Sequence, residues 1–248
     1  MCQFKSGIIL KHKCVICEGD NDSHSDLLAS LKIEDSYNNA SRIFVRAELV
    51  PKNGEWWTDP TGWDFRVDQD ITPEWFELDK DKYIAEFKDA VFAWWKIHVL
   101  IDQKIDELSS GYYRLKRCEV KKLLNDVTVM SDNSTVTRMY GNSTVTRMYG
   151  NSTVTEMYGN STVTEMYDNS TVTEMYDNST VTRMYGNSTV TEMYGNSTVT
   201  RMYDNSTVTR MYDNSTVTEM YGNSSARDYS KGKFYIAENC NLEIMKRG

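Results

Sequence analysis

The sequence predicts a mainly β protein, in which a small α+β N-terminal domain precedes a parallel β-solenoid of nine-residue repeats. The first observation is ten consecutive copies of one nonapeptide, and the second is a strand-forming Thr-Val-Thr core in every copy. The third is that all six tryptophans lie within the first 95 residues. A short fixed period indicates a stack of identical structural units, each burying its apolar side chains against its neighbours.

The N-terminal domain is predicted over residues 1–108, from mixed helix and strand patterns. Alternating apolar residues indicate a half-buried strand, and apolar residues three or four apart indicate a helix. Proline is favoured in the first turn of a helix. The expected elements are two short strands within 3–17, a helix capped by Ser23 or Ser25, a strand at 43–49, a tryptophan-rich loop at 55–70 with a short strand around Phe65 and Val67, and a helix from Pro73 to about His98.

The solenoid is predicted over residues 112–230, after a linker near 109–111. Its first full copy, NSTVTRMYG, begins at Asn133, and the ten copies fill residues 133–222. Only the sixth position (Arg or Glu) and the ninth (Gly or Asp) vary. Thr-Val-Thr favours a strand, and Gly or Asp followed by Asn-Ser marks a turn. Residues 112–120 are expected to form strands that lead into the first coils.

Burial costs predict which side chains face inward. The sixth residue carries a charge of either sign and must face water. We therefore expect Val136, Met139 and the small Ser134, with their equivalents, to line the interior. The chain must then bend near Arg138. The opposite phase would bury two threonine hydroxyls per copy and expose every valine.

The number of repeats per coil is predicted from closure, because one nonapeptide is too short to surround a core. Two copies give a coil of about 18 residues. Three copies would give a triangular section, and the charges at the sixth position do not separate the two arrangements. Residues 231–248 contribute apolar side chains either to a cap on the solenoid or to a homodimer contact, since an open strand edge invites association.

The composition limits the protein's setting. Asp and Glu outnumber Lys and Arg by 36 to 28, which gives a formal charge of −8 and argues against a general nucleic-acid coat. No stretch approaches the roughly 18 consecutive apolar residues of a membrane span. Five sparse cysteines are typical of a reducing compartment. We expect a cytoplasmic protein without a membrane partner.

Three segments of the N-terminal domain carry a resemblance. The opening MCQFKSGIIL and the later FVRAEL and VDQD segments, followed by the repeat tail, resemble uncharacterised gut-bacterial and bacteriophage proteins that join such a head to a repeat tail. The resemblance implies a phage or mobile-element origin and the cytoplasm of a bacterial host. It brings no activity with it.

No catalytic residue or cofactor is predicted. Cys14 and Cys17 form a C-x-x-C pair, but zinc needs about four ligands and no second pair exists, so they are weak metal candidates. Cys2 could become an N-terminal nucleophile of a hydrolase after removal of Met1. The acidic run Asp64, Asp68, Asp70, Asp79 and Asp81 either binds a cation or forms a solvated loop.

The expected function is non-catalytic binding of another macromolecule through the rigid solenoid. We expect the partner to be a protein that the solenoid inhibits on behalf of a phage. Tyr140, Tyr149 and their equivalents either stack as a ladder or offer an aromatic stripe to that partner. The alternatives are nucleic-acid or nucleotide binding through the basic segment 114–122, and hydrolysis by Cys2. The candidate contact residues are Trp56, Trp57, Arg114, Lys116, Arg117, Arg138, Arg147, Tyr140 and Tyr149.

Overall fold

The computed structural model describes residues 4–19, 21–109, 111–124 and 126–229, and the backbone of 241–244. The chain divides into two compact units, 1–99 and 100–248. The division therefore falls before the predicted boundary at residue 108. The expected linker near 109–111 lies between two strands of the solenoid rather than between domains.

The N-terminal unit is built around one antiparallel sheet. Its strands run in the order β2-β1-β3-β4, where β1 is Lys5–Leu10, β2 is Lys13–Ile16, β3 is Phe44–Val50 and β4 is Asp64–Val67. Its helices are α1 (His24–Ser30), α2 (Tyr37–Ala40), α3 (Glu74–Leu78) and α4 (Lys80–His98). Successive strand residues point to opposite faces, so Ile8 packs with Leu28 of α1 while Ile9 packs with Phe87 of α4.

Local sequence signals account for most of these elements. The Ser23 hydroxyl accepts a hydrogen bond from the Asp26 amide at 3.1 Å and caps α1. The predicted helix from Pro73 is interrupted at Asp79, whose φ of −126° is not helical, so two helices replace one. Ile43 is exposed and Phe44 is buried, so β3 begins one residue later than the alternation indicated.

The second unit is a parallel β-solenoid of two sheets. Its strands are β5 (Val99–Ile101), β6 (Lys104–Leu108), β7 (Tyr113–Lys116), β8 (Glu119–Leu123), β9 (Val127–Ser131), β10 (Thr135–Met139), β11 (Thr144–Met148), β12 (Thr153–Met157), β13 (Thr162–Met166), β14 (Thr171–Met175), β15 (Thr180–Met184), β16 (Thr189–Met193), β17 (Thr198–Met202), β18 (Thr207–Met211), β19 (Thr216–Met220), β20 (Ser225–Asp228) and β21 (Asn241–Ile244). From β5 to β20, odd-numbered strands form one sheet and even-numbered strands the other, and β21 pairs with β20.

Each coil contains two nonapeptides, as predicted. Val136 pairs with Val154 and Met139 with Met157, so a residue lies next to the one 18 positions later. The valines and methionines of all ten copies are buried, and the serines at the second position are buried with them. The bend places the fifth and sixth residues of each copy outside together. The predicted phase of the repeat is therefore confirmed.

The coils before Asn133 lack the repeat sequence but keep its core positions. Ile105, Val120 and Val136 stack in register, as do Leu108, Leu123 and Met139. The solenoid thus begins earlier than the repeat. Residues 230–240 and 245–248 lie outside the described part of the chain, and with them most of the predicted cap or dimer contact. Among the described helices, none has the length and apolar character needed to cross a membrane.

Candidate binding surface of the solenoid

Two sets of outward-facing side chains run along the solenoid, one set on each sheet. The sixth residues form charge column 1 (Arg138, Glu156, Glu174, Glu192 and Arg210) and charge column 2 (Arg147, Glu165, Arg183, Arg201 and Glu219). The eighth residues form tyrosine ladder 1 (Tyr140, Tyr158, Tyr176, Tyr194, Tyr212 and Tyr229) and tyrosine ladder 2 (Tyr149, Tyr167, Tyr185, Tyr203 and Tyr221).

The tyrosines stack face to face along both ladders. Within the repeats the ring centroids lie between 4.9 Å (Tyr185 and Tyr203) and 5.5 Å (Tyr140 and Tyr158) apart, and the rings are nearly parallel. Each ring covers part of the next, so most of the tyrosine side chains are only half-exposed. The stacked ladder expected from the sequence is therefore present. The solvent-exposed part of each ring contributes to a continuous stripe beside the charge column.

Hydrogen bonds tie each ladder to its charge column. The Tyr158 hydroxyl donates to Glu156 Oε2 at 3.0 Å, and the Tyr167 hydroxyl donates to Glu165 Oε2 at 3.0 Å. Burial, and then this hydrogen bond, raise the pKa of Tyr167 to about 12. The hydrogen bond from the Arg138 guanidinium lowers the pKa of Glu156. Burial opposes this effect but does not cancel it. The same kinds of hydrogen bond, from arginine and tyrosine, lower the pKa of Glu192 and Glu219.

Ion pairs join most neighbours within the columns. Arg138 Nε lies 2.6 Å from Glu156 Oε2, and Arg210 pairs with Glu192 at the other end of column 1. In column 2, Glu165 lies between Arg147 and Arg183, at 3.2 and 2.7 Å. Such pairs are worth only about 0.2–1 kcal/mol each on a surface, but they hold the side chains in fixed positions.

Charge column 1 also contains a run of like charges. Glu156, Glu174 and Glu192 occupy adjacent strands of one sheet in direct register. Like charges directly opposite each other destabilise a sheet. Among the described residues Glu174 makes no ion pair, and its partner is the Tyr176 hydroxyl. The run therefore forms an acidic patch at the centre of the column, flanked by an arginine at each end.

Two predicted contact residues are not on the surface. Trp56 is only 8% exposed and packs edge-to-face on Trp63 at 5.1 Å, so it belongs to the core of the N-terminal unit. Arg114 is only 6% exposed, although its register with Val129 and Arg147 places it at the outward-facing sixth position. Trp57 is half-buried. Trp56 and Arg114 are therefore corrected from contact residues to buried ones.

The basic segment 114–122 is largely neutralised by acidic side chains. Lys116 pairs with Asp132 at 3.2 Å, and Arg117 pairs with Asp102 at 2.6 Å. Lys121 pairs with Asp106 and Lys122 with Glu107 in the same way. Phosphate binding requires cationic side chains that are free to replace counterions. The pairing leaves little net positive charge on this segment.

The paired cysteines are poorly suited to bind a metal or attack a substrate. Burial, and then the nearby Glu86, raise the pKa of Cys14 to about 11. Burial likewise raises the pKa of Cys17, which accepts a hydrogen bond from the Ser6 hydroxyl at 3.1 Å. Both thiols are thus protonated at neutral pH, whereas thiolates are the reactive and metal-binding form. Cys2 lies outside the described residues.

A further group of polar side chains lies in the N-terminal unit. His24 at the start of α1, Glu48 in β3 and Asp68 after β4 bring one nitrogen and two carboxylate oxygens within 4.8 Å of one another. Of the acidic run identified in the sequence, only Asp68 takes part. These three residues, the His24 cluster, are 20 or more positions apart, and no local pattern connects them.

Comparisons of the chain with protein-family models, curated protein sequences and solved structures find no match.

Proposed function

We propose that the solenoid is a non-catalytic binding surface for another protein, and that charge column 1 with tyrosine ladder 1 makes the contact. The run Glu156, Glu174 and Glu192 carries the proposal. It works against stability, because alternating charges at these three positions would replace repulsion by attraction. Column 2 has only one pair of like charges in register, Arg183 and Arg201, so the run of three is the larger concentration of one charge, which is typical of a surface that binds a partner of opposite charge.

The partner is expected to present a basic stripe. Three carboxylates on adjacent strands are spaced by roughly 4.8 Å, so a row of lysines or arginines along the solenoid axis would complement them. The flanking tyrosine rings supply apolar contact area with little loss of side-chain freedom. Because the stacked coils are already rigid, little ordering cost would oppose binding.

The resemblance to bacteriophage proteins suggests a phage origin, and this origin narrows the class of protein that the solenoid would bind. A phage-encoded protein in the cytoplasm of its bacterial host meets host proteins first, and we infer that the partner is a host protein whose activity the solenoid blocks. The charged contact residues at the outward-facing sixth position fit this role, since charge there varies without any change in the core.

Capture from a bacterial lysate tests the proposal. The full chain is immobilised beside the variant Glu174→Arg, with nuclease-treated lysate so that nucleic acid cannot bridge proteins. The matched control is Arg201→Glu, a charge reversal of the same size in charge column 2. We expect the parent and the control to retain the same protein, and Glu174→Arg to lose it.

Stability measurements separate lost binding from lost folding. Arginine at position 174 would lie between Glu156 and Glu192, so two repulsive contacts become attractive and the melting temperature should rise. A more stable variant that no longer binds supports the proposal. Equal capture of the partner by Glu174→Arg and the parent chain would contradict it, as would the absence of any protein retained by the parent.

A further inference from the structure

The His24 imidazole lies between two oxygen acceptors. Its Nε2 is 3.3 Å from the backbone carbonyl oxygen of Ala47, and its Nδ1 is 3.1 Å from Asp68 Oδ2. Neither oxygen can donate a hydrogen bond when the carboxyl group is ionised. A neutral imidazole has one N–H group and one lone pair, so it satisfies only one of these neighbours. The lone pair of the other nitrogen then faces an oxygen unless that nitrogen binds a proton or a metal ion.

A second carboxylate, that of Glu48, adds to the negative charge at this point. Glu48 is half-buried on the same face of the sheet as α1, and the ligand atoms of Glu48, His24 and Asp68 lie within 4.8 Å of one another. Arg66 lies opposite Glu48 in register on β4. Two carboxylates and the imidazole nitrogen thus converge where a positive ion would relieve their repulsion.

We propose that His24 Nδ1 and the carboxylates of Glu48 and Asp68 bind a divalent transition-metal ion of the zinc class. Three protein ligands with water in the fourth position are a common arrangement for zinc. A mixed nitrogen and oxygen donor set disfavours calcium and magnesium, which prefer oxygen ligands alone. In the tautomer that coordinates the ion, Nε2–H donates to the Ala47 carbonyl oxygen and Nδ1 carries the lone pair.

The geometry of the cluster fits this ion after a small adjustment. Ligands about 2.1 Å from a tetrahedral zinc ion are about 3.4 Å apart, whereas the three atoms here lie within 4.8 Å of one another. His24 is buried and held by α1, while the Asp68 side chain is 59% exposed and free to turn toward the ion. A cleft of about 400 Å³, lined by Asp68, Gln69 and Arg46 among others, lies on the Asp68 side of the cluster, and neither His24 nor Glu48 belongs to its lining.

Metal titration of the full chain tests the proposal. Calorimetry with ZnCl₂ should show one equivalent bound by the parent protein, with affinity reduced at least about 10-fold in Glu48→Gln and Asp68→Asn. Both substitutions keep the size of the side chain. The matched control is Asp70→Asn, a neighbouring carboxylate outside the cluster, and its affinity should equal that of the parent.

Cobalt supplies a second readout that does not depend on affinity. Co²⁺ bound through nitrogen and oxygen should give weak visible bands without the charge-transfer absorption of a thiolate ligand. The double variant Cys14→Ser, Cys17→Ser should give the same spectrum as the parent. Tryptophan fluorescence confirms that each variant is folded, because all six tryptophans lie in this unit.

Two results would overturn the site. One is an absence of stoichiometric zinc binding by the parent chain, which would leave the cluster as a His24–Asp68 ion pair. The other is binding that survives both Glu48→Gln and Asp68→Asn, or that disappears in the cysteine variant, which would place the ion elsewhere.

Discussion

At the scale of single residues, aspartate and glycine alternate strictly in one of the two columns formed by the ninth position of the repeat. One column of ninth residues reads Asp132, Gly150, Asp168, Gly186, Asp204 and Gly222 through successive coils. Each of these positions has a positive φ, such as +57° at Asp168 and +66° at Gly186, which favours glycine and is tolerated by aspartate. The Asp204 carboxylate accepts a hydrogen bond from the Gly186 amide at 3.0 Å. Alternation therefore supplies a bond and keeps aspartates apart.

This alternation predicts that Gly186→Asp destabilises the solenoid through charge. The new carboxylate would lie between Asp168 and Asp204, and each like-charge contact costs about 0.2–1 kcal/mol. Gly186→Asn is the matched control, because asparagine has the same shape and also tolerates a positive φ. In urea unfolding at low salt, the aspartate variant should be less stable than the asparagine variant by about 0.5–2 kcal/mol.

Salt provides the decisive comparison for this pair. Exposed charges are screened at about 1 M ionic strength, where the Debye length falls to roughly 3 Å. The difference between the two variants should therefore nearly vanish in 1 M NaCl if repulsion causes it. A gap that persists in salt would contradict charge repulsion as its cause, because the contact of a Cβ at this position with the Asp168 backbone, at 3.2 Å, is common to both variants and cancels in the comparison.

At the scale of elements, the sequence was sufficient where the repeat is regular. The charged sixth residues had to face water, which placed Val136 and Met139 inside. Closure favoured two copies per coil over three but did not exclude three. The early coils could not be found this way. Ile105 and Leu108 occupy the same core positions in Lys104–Leu108, but a single five-residue strand with ordinary composition carries no detectable period.

The two sheets are built from the same nonapeptide. This predicts that deleting whole copies rearranges the surface side chains and leaves the packing of the core unchanged. Removing residues 160–168, a single copy, keeps every buried valine and methionine stacked. It does move all later copies to the opposite sheet. Glu174 and Glu192 would then lie on the other side from Glu156, and the acidic patch would be divided. We expect a folded protein that no longer captures the proposed partner.

The matched control removes residues 196–213, two complete copies. It leaves Glu156, Glu174 and Glu192 adjacent on one sheet, so a folded and binding-competent protein is expected. Circular dichroism and capture from lysate measure the two properties. If the one-copy deletion unfolds while the two-copy deletion does not, the half-coil is not the unit of folding; if both deletions bind equally, the acidic patch is not the contact.

At the scale of the whole molecule, the His24 cluster consists of residues that no local sequence pattern connects. Its histidine begins a helix, its glutamate lies in the middle of a strand, and its aspartate follows another strand. Only the packing of α1 on the sheet brings them together. The sequence identified Asp68 as one member of an acidic run but contained no signal that separated it from Asp64 or Asp70.

The two units have separate hydrophobic cores, and this predicts two unfolding transitions. The buried clusters of the N-terminal unit end at Val91 and that of the solenoid begins at Leu100. Tryptophan fluorescence reports the first unit alone, because no tryptophan follows Trp95. Far-ultraviolet circular dichroism records the solenoid strands together with the helices of the first unit, so the dichroism transition of the solenoid is the part of the curve that tryptophan fluorescence does not follow.

We expect the fluorescence transition at a lower temperature than the dichroism transition. Each interior coil of the solenoid buries apolar side chains against two neighbouring coils, so unfolding one coil breaks contacts on both sides. Long arrays of identical units therefore resist unfolding. The N-terminal sheet has only four strands and cannot share its stability in this way. Zinc at the proposed site would raise the fluorescence midpoint and leave the dichroism midpoint unchanged, since a ligand stabilises only the unit that binds it. Coincident transitions that shift together with zinc would instead show that the two cores unfold as one cooperative structure.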